Sequence, residues 1–478
     1  MKLGLILLLI CASFFALYHS NTAYTSDEVW RVNTVVSDNV ISALKADVHP
    51  PLYFLLLKVW VSLFGQGERA VKSLSGLFYV LAVLTLYCLA RDLYGDELAL
   101  LSAALYACSP LAILSAQFAR MYALLSFLSI VSTLLYVQFW VKGRTNPWRF
   151  AAFVVVNALG TFTHIAFFFT LFGQIVFHLF CQRTRFKKFV VAICLSGVPY
   201  LVLWAPVFLG QLGIARYGLV WVKKPSLSML GDLLLLYGGV VWLVLPVLLY
   251  VSWRRSVRFW NEARRQPLPF LLLAFTILPP LLISIIKPVF NSRLAIVGLH
   301  LFVLGVAPFF RHMTGKYVLP LALVVLTGAS MVAVHPAAEV CDNRSLSNYL
   351  IQNTRDNDVV IFTSLTRMPI DYYLAQTRSR NLFEISFPSE IDRHPAYVGR
   401  IGEPSRRVEF EAEARDLVIK IRAMQKENPG LRIFYLHGFN PEMDELLGKL
   451  LNEEFRLLPD QEVQCTNAPY LKTISVYR

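Results

Sequence analysis

YTSDEVWRVNTVVSDNVISALKADVHPPLY, residues 24–53, decides how the chain is read. It sets the carboxylates Asp27, Glu28, Asp38 and Asp47 and a His49-Pro50-Pro51 turn between a hydrophobic N-terminal run and a long apolar body. Charged side chains at a membrane boundary cost little while they stay in water, yet acids gathered beside a bilayer also suit chemistry. Two successive prolines fix φ and disfavour helix immediately before them, so the chain must turn at His49 and enter a helix with proline at its first turn. The turn is a positioning device.

Working outward, the chain has 478 residues, 56% of them hydrophobic, and a mean hydropathy of +0.54. That is a polytopic α-helical membrane protein. The formal charge of +14 falls in short clusters between apolar runs, the pattern of cytoplasmic loops rather than of a nucleic-acid surface. Cys11, Cys88, Cys108, Cys181 and Cys194 lie in or beside apolar segments as small hydrophobes, and no cysteine has metal-ligand spacing. No metal or cofactor is assigned, although the sequence leaves a divalent cation open.

The opening MKLGLILLLICASFFALY reads as a retained first helix. Runs long enough to span lie near 2–18, 71–91, 98–117, 121–141, 189–210, 230–252, 268–287, 294–310 and 317–334, and 149–181 reads as two short helices meeting near Thr163-His164. Together these give about 11 crossings. LYFLLLKVWVSLF, residues 52–64, is too short for an upright span and is read as re-entrant or interfacial. With the basic clusters 183–188, 254–265 and 311–316 cytoplasmic, the loop 19–70 and the turns near 115–122, 211–229 and 288–293 share the extracytoplasmic face of a cell (inner) membrane.

From about residue 335 the composition becomes that of a soluble domain, so 1–334 is expected as the membrane domain and 335–478 as an extracytoplasmic α/β domain. DVVIFT (358–363), LRIFYLH (431–437) and TISVYR (473–478) read as strands, and 408–426 and 442–451 as helices. No glycine-rich phosphate loop follows a strand, so this domain is given no catalytic role. Cys341 and Cys465 are its only cysteines and are expected to pair in an oxidising compartment.

Each candidate site residue has two readings. Asp27 and Glu28 can take a proton from an attacking hydroxyl or amine, or belong to a solvated loop. Asp47 and His49 can face a substrate or cap the following helix. Arg120 in QFARMY and Arg293 in FNSR stand at outer helix ends, where arginine snorkels or meets an anion; Lys223, Lys224 and Lys287 on the same face favour an anionic lipid headgroup. His164 in TFTHIAFFF is a bonded core residue or a ligand. A secondary transporter would need polar residues in mid-span and an inverted repeat, and neither is read in the sequence. A non-catalytic scaffold leaves the acidic loop unexplained.

The first helix, Asp27-Glu28, D-x-HPPLYF, SPLAILSAQFARMYAL and KPVFNSRLAIVGL together resemble the polyprenyl-phosphate-sugar-dependent membrane glycosyltransferases of family 39, which have the GT-C fold and include protein O-mannosyltransferases and the lipid A aminoarabinose transferase. The resemblance covers about residues 1–334. It implies metal-independent, inverting transfer of a sugar from a polyprenyl-phosphate donor to a lipid, glycan or protein acceptor. It further implies that Asp27 is the base, with Glu28 beside it, and that Arg120, Tyr122 and Arg293 lie near the donor phosphate. The second acid that many relatives carry beside that arginine is missing here, where Gln117 and Phe118 stand, so Asp47 is the substitute.

Overall fold

The computed structural model describes residues 2–218, 222–239, 267–310, 317–333, 342–377, 381–392, 403–467 and 470–478. Arg254, Arg255, Arg258, Arg264, Arg265, Arg311 and Lys316, the later part of the expected 230–252 span, and Cys341 lie outside them, so the proposed Cys341–Cys465 bond does too. Two compact units result: Met1–Asn21, Thr34–Gln211 and Val222–His335 form one, and Thr22–Asn33, Leu212–Trp221 and Pro336–Arg478 the other. Thr22–Asn33 groups with the C-terminal residues rather than with the helices that flank it in sequence.

The helices in chain order are α1 (Lys2–Leu17), α2 (Ser26–Val36), α3 (Val40–Ala46), α4 (Leu52–Phe64), α5 (Glu68–Tyr94), α6 (Asp96–Ala107), α7 (Pro110–Ala116), α8 (Tyr122–Tyr136), α9 (Pro147–Thr161), α10 (Phe167–Phe177), α11 (Phe186–Leu203), α12 (Ala205–Gly218) and α13 (Leu227–Gly238). Further along the chain come α14 (Leu268–Ile286), α15 (Ile296–Val306) and α16 (Val318–Ala333). Among the described residues four helices are long and apolar enough to cross a bilayer, or five if one bent pair is a single span. Shorter apolar helices, α4 and α13 among them, accompany these.

Two expected spans are broken. The 98–117 run is Leu98–Ala107 and Pro110–Ala116, bent by 61°. Pro110 has no N–H to continue the ladder, and Ser109 before it is extended at φ −70, ψ 125. The 189–210 run divides at Trp204, where φ −121 leaves the helical region. The 149–181 run is the expected pair of helices, α9 and α10, turning at 162–166. Gly160 allows that turn to close: a Cβ there would stand 2.3 Å from the Phe167 ring.

The expectation of spans without mid-helix polar groups is corrected. Ser132 on α8 donates to Asn157 Oδ1 on α9 at 2.6 Å and accepts from Gln174 Nε2 on α10 at 2.9 Å, while Thr133 meets His300 of α15 at 3.0 Å. All of these residues are buried. They are neutral amides, hydroxyls and an imidazole bonding across helices, the kind of contact that holds apolar helices together where hydrophobic association is weak. Their side chains are short and their neighbours apolar, so no periodicity in the sequence exposes them.

In the second unit a five-stranded sheet has the order β2-β1-β3-β5-β4. Its strands are β1 (Val359–Thr363), β2 (Phe383–Phe387), β3 (Ile433–His437), β4 (Val463–Asn467) and β5 (Tyr470–Tyr477). β1 pairs in parallel with β2 and β3, and β5 runs antiparallel to β3 and β4. Helices α17 (Asn343–Asn353), α18 (Arg367–Thr377), α19 (Arg407–Glu427) and α20 (Pro441–Glu454) complete it. Every residue of β1 is buried, the mark of a strand covered on both faces. One face packs against Phe410, Ile421 and Leu447 of α19 and α20, the other against Leu346, Leu350 and Ile370 of α17 and α18.

Candidate functional site

The site begins with the turn after α3. Asp47 caps that helix and its Oδ1 accepts the N–H groups of Val48 at 2.7 Å and His49 at 2.8 Å, together with Nδ1–H of His49 at 2.8 Å. Asp47 is 1% exposed, so its carboxylate is committed to this turn. The other imidazole nitrogen, Nε2, lies 3.3 Å from Nη2 of Arg120. A guanidinium only donates, so His49 accepts there, which requires the neutral imidazole with its proton on the Asp47 side.

Pro50 and Pro51 then start α4, whose Leu52 N–H donates to the Phe162 carbonyl at 3.0 Å and so pins the turn to the end of α9. Tyr53 meets Ser75 of α5 at 2.9 Å, and the Ser75 hydroxyl donates to the Arg120 carbonyl at 3.2 Å. Two segments remote in sequence, the His49 turn and α5, thus hold Arg120, the first by its side chain and the second by its backbone.

Arg120 occupies the turn between α7 and α8, 6% exposed, with Cζ 5.2 Å from the Tyr122 ring centroid and 5.9 Å from that of Phe118. Arg293 reaches the same Phe118 ring at 5.6 Å from the turn before α15. That turn is fixed by Asn291, whose Oδ1 accepts from the Arg293 and Leu294 N–H groups at 3.0 and 3.2 Å. One phenyl ring therefore carries two guanidinium groups. Aromatic faces tolerate cations through their quadrupole, so Phe118 spaces two positive charges that would otherwise repel.

His164, from the α9–α10 turn, lies with its ring 5.7 Å from His49 and 5.8 Å from Tyr122. Its Nδ1 accepts the Ala166 N–H at 3.0 Å, which leaves the proton of a neutral ring on Nε2. Asp47, His49, Arg120, Tyr122, His164 and Arg293 are thus brought together at one end of the first unit's helices. Lys223 and Lys224 are exposed on the segment leading into α13, and none of the hydrogen bonds or ring contacts just described reaches them.

Sequence reasoning missed two parts of the arrangement. Phe118 reads in the sequence only as the neighbour standing where an acid is expected. Lys72 was not noticed: it is 2% exposed on α5, one turn before Ser75 and on the same side of that helix. A lysine inside a long apolar helix was the available signal. Among the described residues no group of three or more His, Cys, Asp or Glu is arranged to hold a metal ion.

Asp27 and Glu28 open α2, in the second unit. Thr25 and Glu28 form one arm of a capping box: the Glu28 carboxylate accepts the Thr25 N–H and the Thr25 hydroxyl, both at 3.0 Å. Glu28 is 1% exposed, whereas Asp27 is only partly buried. The two adjacent acids therefore have different surroundings, and Glu28 has a local structural task.

The Dolichyl-phosphate-mannose-protein mannosyltransferase family pattern matches residues 48–209, from the His-Pro-Pro turn into the first turn of α12. YkcB of Bacillus subtilis (strain 168), named as a mannosyltransferase, is 26% identical over 144 residues, which is 30% of this chain and 20% of that protein. The chain thus spans about a fifth of the length of that curated relative. Among solved structures, the crystal structure of ArnT from Cupriavidus metallidurans in the apo state is 14% identical with a TM-score of 0.59, covering 98% of this chain and 97% of the other. The same protein bound to undecaprenyl phosphate gives 13% and 0.58 with the same coverage.

The fold and its apolar helices define a polytopic helical membrane protein of the ArnT type. Within that class, residues 48–209 resemble the Dolichyl-phosphate-mannose-protein mannosyltransferase family, and the fold of the whole chain is similar to that of ArnT.

Proposed function

We propose that this chain is an integral membrane glycosyltransferase that moves a sugar from a polyprenyl-phosphate donor to an extracytoplasmic acceptor. The observation that carries the reading is the pair of guanidinium groups of Arg120 and Arg293 on the Phe118 ring. Arginine matches phosphate oxygens geometrically, and cations at the leaving group stabilise the charge that grows there. That the ArnT structure holds undecaprenyl phosphate supports a lipid-linked donor.

The reaction is a single displacement. The acceptor oxygen or nitrogen attacks the anomeric carbon, Asp27 takes its proton, and the carbon–oxygen bond to phosphate breaks with the electron pair leaving on the phosphate. The configuration inverts. Arg120, held by His49 and Ser75, and Arg293 take the charge of the departing phosphate, and no metal is assigned to that task. Glu28 serves as the cap of α2, Tyr122 and His164 line the Arg120 side, and Lys223 and Lys224 meet lipid headgroups. The protein is placed in the cell (inner) membrane with these turns and the C-terminal domain outside.

Purified protein in lipid, incubated with a panel of polyprenyl-phosphate sugars with EDTA present, tests the reading. Release of polyprenyl phosphate from one donor, even by slow hydrolysis, is expected. Release from none of them, with intact donor recovered, overturns it.

A further inference from the structure

The segment that carries Asp27 follows α1, which ends at Leu17, yet residues 22–33 group with the C-terminal residues more than 300 positions away. The contacts behind this are specific. The Tyr24 N–H donates to the Tyr373 hydroxyl of α18 at 2.9 Å, and the Tyr24 carbonyl accepts from Asn343 Nδ2 of α17 at 2.7 Å. Both backbone groups of one residue are thus satisfied by side chains of the C-terminal domain. The Tyr24 ring is fully buried and stands edge-on to Tyr372 at 5.3 Å. Two residues on, Ser26 donates to the Leu365 carbonyl at 2.8 Å, in the connection between β1 and α18. Asn343 is itself held by the Lys472 ammonium of β5, which donates to its Oδ1.

We infer that the C-terminal domain is the positioning device of the base: Asn343, Tyr373 and the Leu365 carbonyl grip the chain at Tyr24 and Ser26, immediately before Asp27, and fix where α2 begins. The inference rests on the proposed role of Asp27. It assigns the α/β domain a task in the reaction without a substrate site of its own, and it makes Asn343 and Tyr373 positioning residues.

A base displaced by a fraction of an ångström loses rate, because proton abstraction needs hydrogen-bond distance, whereas donor binding need not change. A loosened grip should therefore lower kcat and spare the donor KM. Asn343→Asp keeps the acceptor for Lys472 and removes the donor to Tyr24; Tyr373→Phe removes a single hydroxyl. Tyr349→Phe, which deletes a hydroxyl bonded to the Gln461 carbonyl of the same domain, is the control.

The experiment measures transfer by the full-length protein in lipid, together with amide exchange of residues 22–33 followed by mass spectrometry. Expected in both gripping variants are faster exchange at 22–33, unchanged exchange in β1 and β3, and a roughly tenfold fall in kcat at constant donor KM. The control should match the wild type in both readouts. Unchanged exchange at 22–33 overturns the inference, as does faster exchange with full kcat. Wild-type protein that transfers nothing while the variants still expose 22–33 overturns the functional reading and leaves the grip measured, so the two failures are separable.

Discussion

His49 Nε2 accepts from Nη2 of Arg120 while its Nδ1 donates to Asp47, so a buried carboxylate sets the tautomer of an imidazole that in turn aims a guanidinium. Replacing His49 by Phe keeps a flat ring and removes both bonds. Arg120 should then sample more rotamers, and affinity for a polyprenyl phosphate should fall by about tenfold, the worth of one hydrogen bond to a charged group. Asp47→Asn retains an acceptor for the His49 N–H and should cost less. Titration of lipid phosphate against each variant decides it, and unchanged affinity in His49→Phe would remove His49 from the donor site.

Arg293 is held by the Asn291 turn and by Phe118. Its loss as Arg293→Ala should weaken donor binding by ten- to a hundredfold, about 1.5–3 kcal/mol, and leave acceptor affinity nearly unchanged. Arg293→Lys should recover only part, since an ammonium on a flexible stem neither stacks on Phe118 nor pairs bidentately with phosphate. Equal donor affinity in the alanine variant and the wild type would leave Arg293 as a snorkelling residue.

The membrane part was legible in the sequence where the physics is one-dimensional. Apolar length located α5, α8 and α14, and the proline pair announced the turn that holds Asp47 and His49. The bend at Ser109-Pro110 is marked by the proline but hidden by the apolar run that continues through it. Ser132, Asn157 and Gln174 were illegible: three single polar residues on three helices acquire meaning only when those helices meet. The same holds for Phe118, whose value comes from two arginines 173 positions apart. In the second unit β2 (FEISF) and β4 (VQCTN) are as long as β1 (VVIFT) and β3 (IFYLH) but interrupt the apolar run with polar residues, which hides them, and no local pattern in residues 22–33 foretells docking on α17 and α18.

Asp27 and Glu28 should separate cleanly by substitution. Asp27→Asn removes the proposed proton acceptor from a partly buried position and should abolish transfer while leaving melting and donor binding close to wild type. Glu28→Gln weakens the capping box, so it should lower stability by about 1 kcal/mol and transfer only modestly. Parallel measurement of kcat and thermal unfolding distinguishes them. An active Asp27→Asn enzyme would end its assignment as base.

The proposed topology is checked by impermeant thiol labelling of single-cysteine variants in intact cells. Gly430→Cys, at an exposed turn of the α/β domain, should label from outside, and Lys187→Cys, at the exposed start of α11, only after lysis. The reverse pattern would place the C-terminal domain in the cytoplasm.

Lys472 offers a test in a pH window of its own. Burial of its ammonium, partly offset by Asp342, pushes its pKa down from 10.5 to about 8. Between those values the unfolded chain holds a proton that the folded chain has released, so stability should rise with pH across the window and be lowest where the buried ammonium stays charged. Asp371, which burial and the neighbouring Glu384 raise to about 6, acts in the opposite sense. Its folded form holds the extra proton, and its effect is complete well below the lysine window. Tyr477, raised from 10.0 to about 12, lowers stability with rising pH only near and above its unfolded value. Unfolding of the wild type followed from pH 8 to about 9.5, before the tyrosines intervene, should therefore show an upward slope that Lys472→Met lacks. At pH 7 the Met variant gains by removing a buried charge but loses the bond to Asn343, so the slope is the diagnostic quantity. A wild type and a Lys472→Met variant with parallel pH profiles would show that Lys472 is solvated in the folded protein.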